Sequence, residues 1–376
     1  MEKPSSTSSS ELRATFEGRI HEPYRPPWGF ILSFVVIAAV EVFLESKIPS
    51  EEILDAHTEP YTSIHEVLDE DGPAEVAILG ASVSWNGLVV PLIDRAVDDA
   101  AGRDVTVANY SHLGMRAELG DDLAHVIARR DPPPRILYFG ITLHSVPFAD
   151  ELDDTSWAWG LPDFWRHVRS NGYSALHGFP YALQNELARK LRIVQMRRDP
   201  ERFWLRVADG VEFGPNPMRG GHVIGHLKNP DKTLQGEEIE GERAALEKAL
   251  NERRVGRRTN GENPFVSEER VQAIVDVART FQARGTEVVF FEVPLPPDHV
   301  AMLPKLFYTE FEAAMARVVR ETGARYVPAS KLGVTLGRED FKDTSHMNGR
   351  GATTFTRALI DVVMRADFVR LFGGGR

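Results

Sequence analysis

Two short segments, far apart in the chain, carry residue types able to do nucleophilic chemistry. The first is Ile78-Leu-Gly-Ala-Ser82-Val-Ser-Trp-Asn-Gly87. An apolar run ends in Gly80, and a serine follows two residues later where the pattern predicts a turn from strand into helix. A hydroxyl in that position stands beyond the carboxyl edge of a sheet, near helix N–H groups that can stabilise an oxyanion. The same position also suits a serine that only caps the helix, worth about 1 kcal/mol. Ser84 is the competing nucleophile, further into the turn. The second segment is Phe341-Lys-Asp343-Thr-Ser-His346-Met-Asn-Gly-Arg-Gly-Ala352. A carboxylate three residues before an imidazole can fix its tautomer and stabilise the imidazolium formed when a serine gives up its proton. A polar loop in which His346 or Asn348 caps the last helix accounts for the same residues.

Whether the segments meet depends on the elements between them. Apolar runs at Glu75–Leu79, Val105–Ala108, Arg135–Phe139 and Glu287–Val293, with a weaker one at Arg325–Pro328, read as buried parallel strands. Helical patterns cover Leu88–Ala101, Ala117–Arg130, Ser267–Arg284, Tyr308–Thr322 and Gly351–Ala366. This alternation predicts an α/β fold, a three-layer α/β/α sandwich on a mostly parallel five-stranded, flavodoxin-like sheet. The domain is expected to span 73–376. Residues 150–265 break the rhythm and are rich in Trp, Arg and Phe, with helix-like stretches at Ala182–Met196 and Glu238–Arg254. They read as a mostly helical insertion beside the carboxyl ends of the strands, where open α/β sheets bind ligands.

The N-terminus has a different character. Residues 1–27 are polar and read as a disordered cytoplasmic tail. Trp28–Leu44 is almost continuously apolar and about as long as the shortest bilayer span, roughly 17 residues. Residues 28–45 are therefore expected to form an uncleaved transmembrane signal anchor, with 46–72 a linker. Lys3, Arg13, Arg19 and Arg25 precede the span and only Lys47 follows closely, which places the bulk of the chain outside the cytoplasm. The net charge of −11 argues against nucleic acid as a partner. The absence of cysteine removes thiol catalysis, disulfides and thiolate metal sites. No metal or other cofactor is expected.

A strand-end Gly-x-Ser early in a domain, paired with D-x-x-H before its last helix, resembles the SGNH (GDSL-like) hydrolase superfamily over about residues 74–149 and 285–366. The resemblance implies Ser82, Asp343 and His346 as a catalytic triad. It also implies oxyanion donors at the backbone of Ser82 and of Gly114, within Asn109-Tyr-Ser-His-Leu-Gly114. Two blocks depart from the pattern. Gly140-Ile-Thr142-Leu143 has Thr142, a candidate third oxyanion donor through its hydroxyl, where the family has an asparagine, and Ala81 stands where the eponymous members have aspartate. The anchor and insertion look most like the membrane-linked branch that includes the D-alanine transfer protein and alginate O-acetylation proteins. That likeness implies an esterase or O-acyltransferase acting on cell-surface polysaccharide or glycopolymer, with a membrane-bound O-acyltransferase as partner. A degenerate glycan-binding or scaffold subunit is the alternative.

Other features draw plainer readings. Asn109, His112 and His144 follow strand ends and are candidates for lining a pocket. His222 and His226 stand four apart, but Gly221 and Gly225 argue against a chelating helix. Trp157, Trp159, Trp165 and Trp204 suit either core packing or stacking on sugar rings.

Overall fold

A computed structural model describes residues 73–112, 115–146, 231–244 and 265–374, with isolated helical residues at 32, 35–40, 42, 179, 183, 187 and 248. Five strands form one parallel sheet: β1 (Val76–Gly80), β2 (Val107–Asn109), β3 (Ile136–Ile141), β4 (Glu287–Glu292) and β5 (Arg325–Val327), in the order β2-β1-β3-β4-β5. Every residue of β1 and β3 is buried, which is why these runs are continuously apolar rather than alternating. The chain leaves β1 for one side of the sheet and β3 for the other. The resulting crevice at their carboxyl ends is where a ligand site is expected.

Helices cover the sheet in two groups. α1 (Ser82–Gly87) and α2 (Val90–Ala101) follow β1, and α3 (Ala117–Ile127) follows β2. α4 (Glu268–Gln282) enters β4, while α5 (Pro297–Met302) and α6 (Lys305–Thr322) connect β4 to β5. α7 (Gly349–Leu359) runs through a π-helical stretch, Ile360–Met364, into α8 (Arg365–Phe372). α4 packs on α3 and α6, whereas α8 packs on α2, and α7 packs on α1 and α2. The first group is tied by an ion pair in which the buried Arg270 Nε lies 3.0 Å from Glu118.

Local chemistry explains where the boundaries differ from the sequence reading. The helix expected over Leu88–Ala101 begins at Val90, because Leu88 and Val89 bridge two helices and Pro91 fits the first turn of α2. The short α1 before it was not anticipated. α6 starts three residues earlier than expected, directly after Pro304. α7 starts two residues earlier because the Asn348 side chain accepts the N–H groups of Arg350 and Gly351. α4 is capped by Ser267, whose hydroxyl accepts the Arg270 N–H.

Of the insertion, residues 231–244 are described, with 236–244 helical, besides the single helical residues at 179, 183, 187 and 248. Residues 232–234 lie against the segment that carries His346: Leu234 N–H donates to the Phe341 carbonyl at 2.8 Å, and the Asn348 amide donates to the Lys232 carbonyl. Most of the expected tail, anchor and linker, and His222, His226 and the four tryptophans, lie outside the described residues. Within the expected anchor, the described residues are helical, and Leu32, Val35, Val36, Ile37 and Val42 are exposed. Among the described residues, no helix is long and apolar enough to cross a membrane.

Candidate active site

The carboxyl end of β1 is built around a close approach. Gly80 and Gly140 sit side by side in the β1–β3 register, with the fully buried Ser84 lying over both. A Cβ on Gly80 would lie 2.2 Å from Ser84 Oγ, and one on Gly140 would lie 2.1 Å from it. Only glycine lets α1 start this tightly against the sheet. Ser84 Oγ faces the Gly140 carbonyl at 3.4 Å, so this hydroxyl points down into the fold. Ser82, at the first position of α1, is partly exposed. The first N–H groups of a helix have no partner within the helix, and those of Ser82 and Val83 are among them.

α7 closes the other side. Buried Thr356 accepts the Val89 N–H at 2.9 Å, which fixes α7 to the turn after α1. Before α7 the chain folds on itself: Phe341 bridges Met347, and Asn348 N–H donates to the Asp340 carbonyl. A Cβ on Gly351 would lie 2.1 Å from that same carbonyl, so glycine permits this fold-back. Buried Lys342 ties the two segments together. Its ammonium donates to Asn86 Oδ1 at 2.6 Å, and the Asn86 amide donates to the Ser82 carbonyl at 2.7 Å.

These constraints bring Ser82, His346 and Asp343 into one line. His346 Nε2 lies 2.9 Å from Ser82 Oγ, and His346 Nδ1 lies 2.9 Å and 3.0 Å from the two oxygens of Asp343. An ionised carboxylate only accepts, so Nδ1 carries the proton and Nε2 turns its lone pair to the serine hydroxyl. Burial raises the Asp343 pKa, but the hydrogen bond and electrostatic attraction of His346 and the N–H groups of Ser345 and His346 outweigh that and bring it to about 2. The carboxylate is therefore ionised at every pH of interest. This arrangement can take a proton from the Ser82 hydroxyl as its oxygen attacks a carbonyl.

The remaining candidates fall into different places. His144, Thr142 and Ser145 all line the cavity at Ser82, and the side chains of Thr142 and Ser145 are also engaged in a local turn. Thr142 Oγ1 accepts the His144 N–H at 3.2 Å, and the Thr142 N–H donates to Ser145 Oγ at 3.0 Å. Buried Asn109 accepts the Ser111 N–H, and the His112 N–H donates to the Gly80 carbonyl; neither Asn109 nor His112 lines the cavity. Gly114 lies outside the described residues.

The cavity at Ser82 has a volume of about 290 Å³ and includes two groups the sequence reading missed, His299 of α5 and Glu242 of the insertion. His299 offered one signal, since it follows β4 by a few residues and so falls at the same sheet edge as Ser82. Glu242 offered none, because nothing in its local pattern says which way its helix faces.

The fold and site together define an α/β protein with a parallel five-stranded sheet and a Ser–His–Asp hydrogen-bonded line at its carboxyl edge. No family model matches the chain, and no curated protein matches it. Among solved structures, that of TesA is similar at 12% identity and a TM-score of 0.35, covering 77% of this chain and 97% of that chain.

Proposed function

We propose that the protein is a serine-dependent acyl hydrolase or O-acyltransferase that works through an acyl-enzyme on Ser82. The observation that carries this reading is the 2.9 Å approach of His346 Nε2 to Ser82 Oγ, with Asp343 bonded to the far side of the ring. In the first step Ser82 Oγ attacks an ester carbonyl, and its proton passes to His346 Nε2. The tetrahedral oxyanion is received by backbone N–H groups, of Ser82 and, by the family resemblance, of Gly114. Its collapse expels the alcohol, which takes the proton back from His346 and leaves Ser82 acylated. Water then releases the acid, or a second hydroxyl takes the acyl group.

The substrate class we propose is an acylated cell-surface glycan, with the domain held outside the membrane by an anchor at 28–45 and a membrane-bound O-acyltransferase as partner. What supports the anchor is the apolar run itself and the exposure of its described apolar side chains. A fluorophosphonate probe tests the chemistry. We expect it to label the full-length protein and Ser84→Ala, and not Ser82→Ala. Absence of labelling in the wild type overturns the enzyme and leaves a non-catalytic glycan-binding or scaffold subunit. Topology is read separately: protease added outside the membrane should cut the large domain, and protection of that domain overturns the orientation.

A further inference from the structure

His299 is only 2% exposed, lines the cavity that contains Ser82, and has no hydrogen-bond partner at Nδ1 or Nε2 among the described residues. Its ring lies edge-on to that of the exposed His144, with centroids 5.1 Å apart and planes at 82°. Burial lowers its pKa, against the pull of Glu242 and of the Thr344 backbone, which closes no bond of normal geometry with either nitrogen. The ring is therefore neutral near pH 7, with one N–H donor and one lone pair. A buried donor or acceptor left without a partner is destabilising. A side chain placed so beside Ser82 has a donor and an acceptor to offer a bound ligand.

The chemistry of the surroundings narrows the ligand. Among the described residues that line the cavity, Glu242 is the one carboxylate and none is a lysine or arginine, so an anionic group is disfavoured. Among the described residues, no group of three His, Cys, Asp or Glu side chains is placed to hold a metal ion. A hydroxyl both donates and accepts, which matches a neutral imidazole, and a carboxylate such as Glu242 accepts a second one. Met115, Val83 and Ala81 supply an apolar wall beside these groups.

We propose that His299 is a specificity-determining residue that hydrogen-bonds a free hydroxyl of the substrate, so that the site prefers esters of uncharged polyols or sugars over simple alkyl esters. This rests on the reading of Ser82 as nucleophile and adds the recognition that reading lacks. The step at Ser82 is unchanged; His299 binds and orients the alcohol portion of the ester. A site that bonds a hydroxyl discriminates against an analogue lacking it, because its own polar groups are then left unpaired.

The test uses the full-length protein and two acetate esters of similar intrinsic reactivity, a mono-acetylated glucose and ethyl acetate, with acid release followed by titration. The wild type should favour the sugar ester by at least about tenfold in kcat/KM. In His299→Phe, which fills the same space without polar atoms, the preference should collapse, mainly through a rise in KM for the sugar ester. His299→Gln, which restores a donor and an acceptor, should recover part of it. Equal losses on both esters in His299→Phe, an unchanged preference, or a wild type with no preference overturns the proposal. Fluorophosphonate labelling of Ser82 is read alongside in each protein. Labelling without sugar preference sinks the role of His299 alone, whereas a wild type that does not label sinks the nucleophile as well.

Discussion

Replacing Gly80 by alanine should disarm Ser82 without touching any of the three residues in line. The added Cβ would lie 2.2 Å from Ser84 Oγ and 2.5 Å from Ser84 Cβ, where ordinary contact begins at 3.4 Å. Ser84 is fully buried against Gly140, so it cannot swing aside into solvent. Relief has to come from lifting α1 by about 1 Å, and a misplacement of that size in an active site can cost about 10²-fold in rate. Ser82 rides on the first turn of that helix, and its 2.9 Å contact with His346 is the one most exposed to the shift. Overpacking should also lower stability by about 1–3 kcal/mol. The fluorophosphonate labelling rate and thermal unfolding measure the two effects separately. The double variant Gly80→Ala/Ser84→Gly removes the offending side chain and leaves only a 3.1 Å approach to the Gly140 carbonyl. It should recover at least about tenfold of the lost rate, despite the roughly 1 kcal/mol that glycine costs within a helix. A Gly80→Ala protein that labels at the wild-type rate, or a double variant no faster than the single one, refutes the reasoning.

Other expectations follow from the same contacts. Asp343→Asn removes the acceptor that holds the proton on His346 Nδ1 and should lower kcat by as much as about 10⁴-fold; a loss under about tenfold contradicts the role. Because the folded-state pKa of Asp343, about 2, lies below the ordinary carboxylate value of about 3.9, its stabilising contribution is whole above that value and is lost as pH falls toward 2. The stability gap between wild type and Asp343→Asn in urea titrations should thus be level near neutral pH and shrink only below about pH 4. Glu292 is shifted the opposite way: burial raises its pKa, opposed by the Ala329 N–H and the Tyr326 hydroxyl. Ionising it therefore costs stability as pH rises, so Glu292→Gln should raise Tm at neutral pH and give little gain under acid conditions. A lower Tm at neutral pH contradicts that sign. Buried Asn348 accepts two N–H groups at the start of α7 and donates to the Lys232 and Glu339 carbonyls. Asn348→Ala should cost about 2–3 kcal/mol in denaturant unfolding, and a cost under about 0.5 kcal/mol argues against its role as a clasp.

The sheet was legible because its central strands β1, β3 and β4 are apolar runs flanked by helical periodicity, and burial on both faces leaves that signature; the edge strand β5, Arg325–Val327, is only partly buried and left a weaker one. Ser82 was legible for a related reason: a glycine at the end of a buried strand marks a close approach, and the hydroxyl two residues later falls at the sheet edge. What the sequence did not reveal was which residue makes the approach. Ser84 and Ser82 have the same chemistry, and only the packing against Gly80 and Gly140 separates the buried hydroxyl from the accessible one. α1 escaped notice because six residues are too few to display a helical period. Lys342 reads as an ordinary charged loop residue, yet it is buried with its ammonium on Asn86, a contact between positions 256 residues apart that no local pattern encodes. The cavity that His299 lines is likewise assembled from six separate parts of the chain.

The nucleophile itself can be caught directly. Mixing the protein with p-nitrophenyl acetate, quenching rapidly with acid and mapping the peptides by mass should find a single acetyl group on the peptide that carries Ser82. His346→Ala should show that adduct much reduced. An acetyl group on another residue, or equal acetylation of Ser82 with and without the imidazole, contradicts the account.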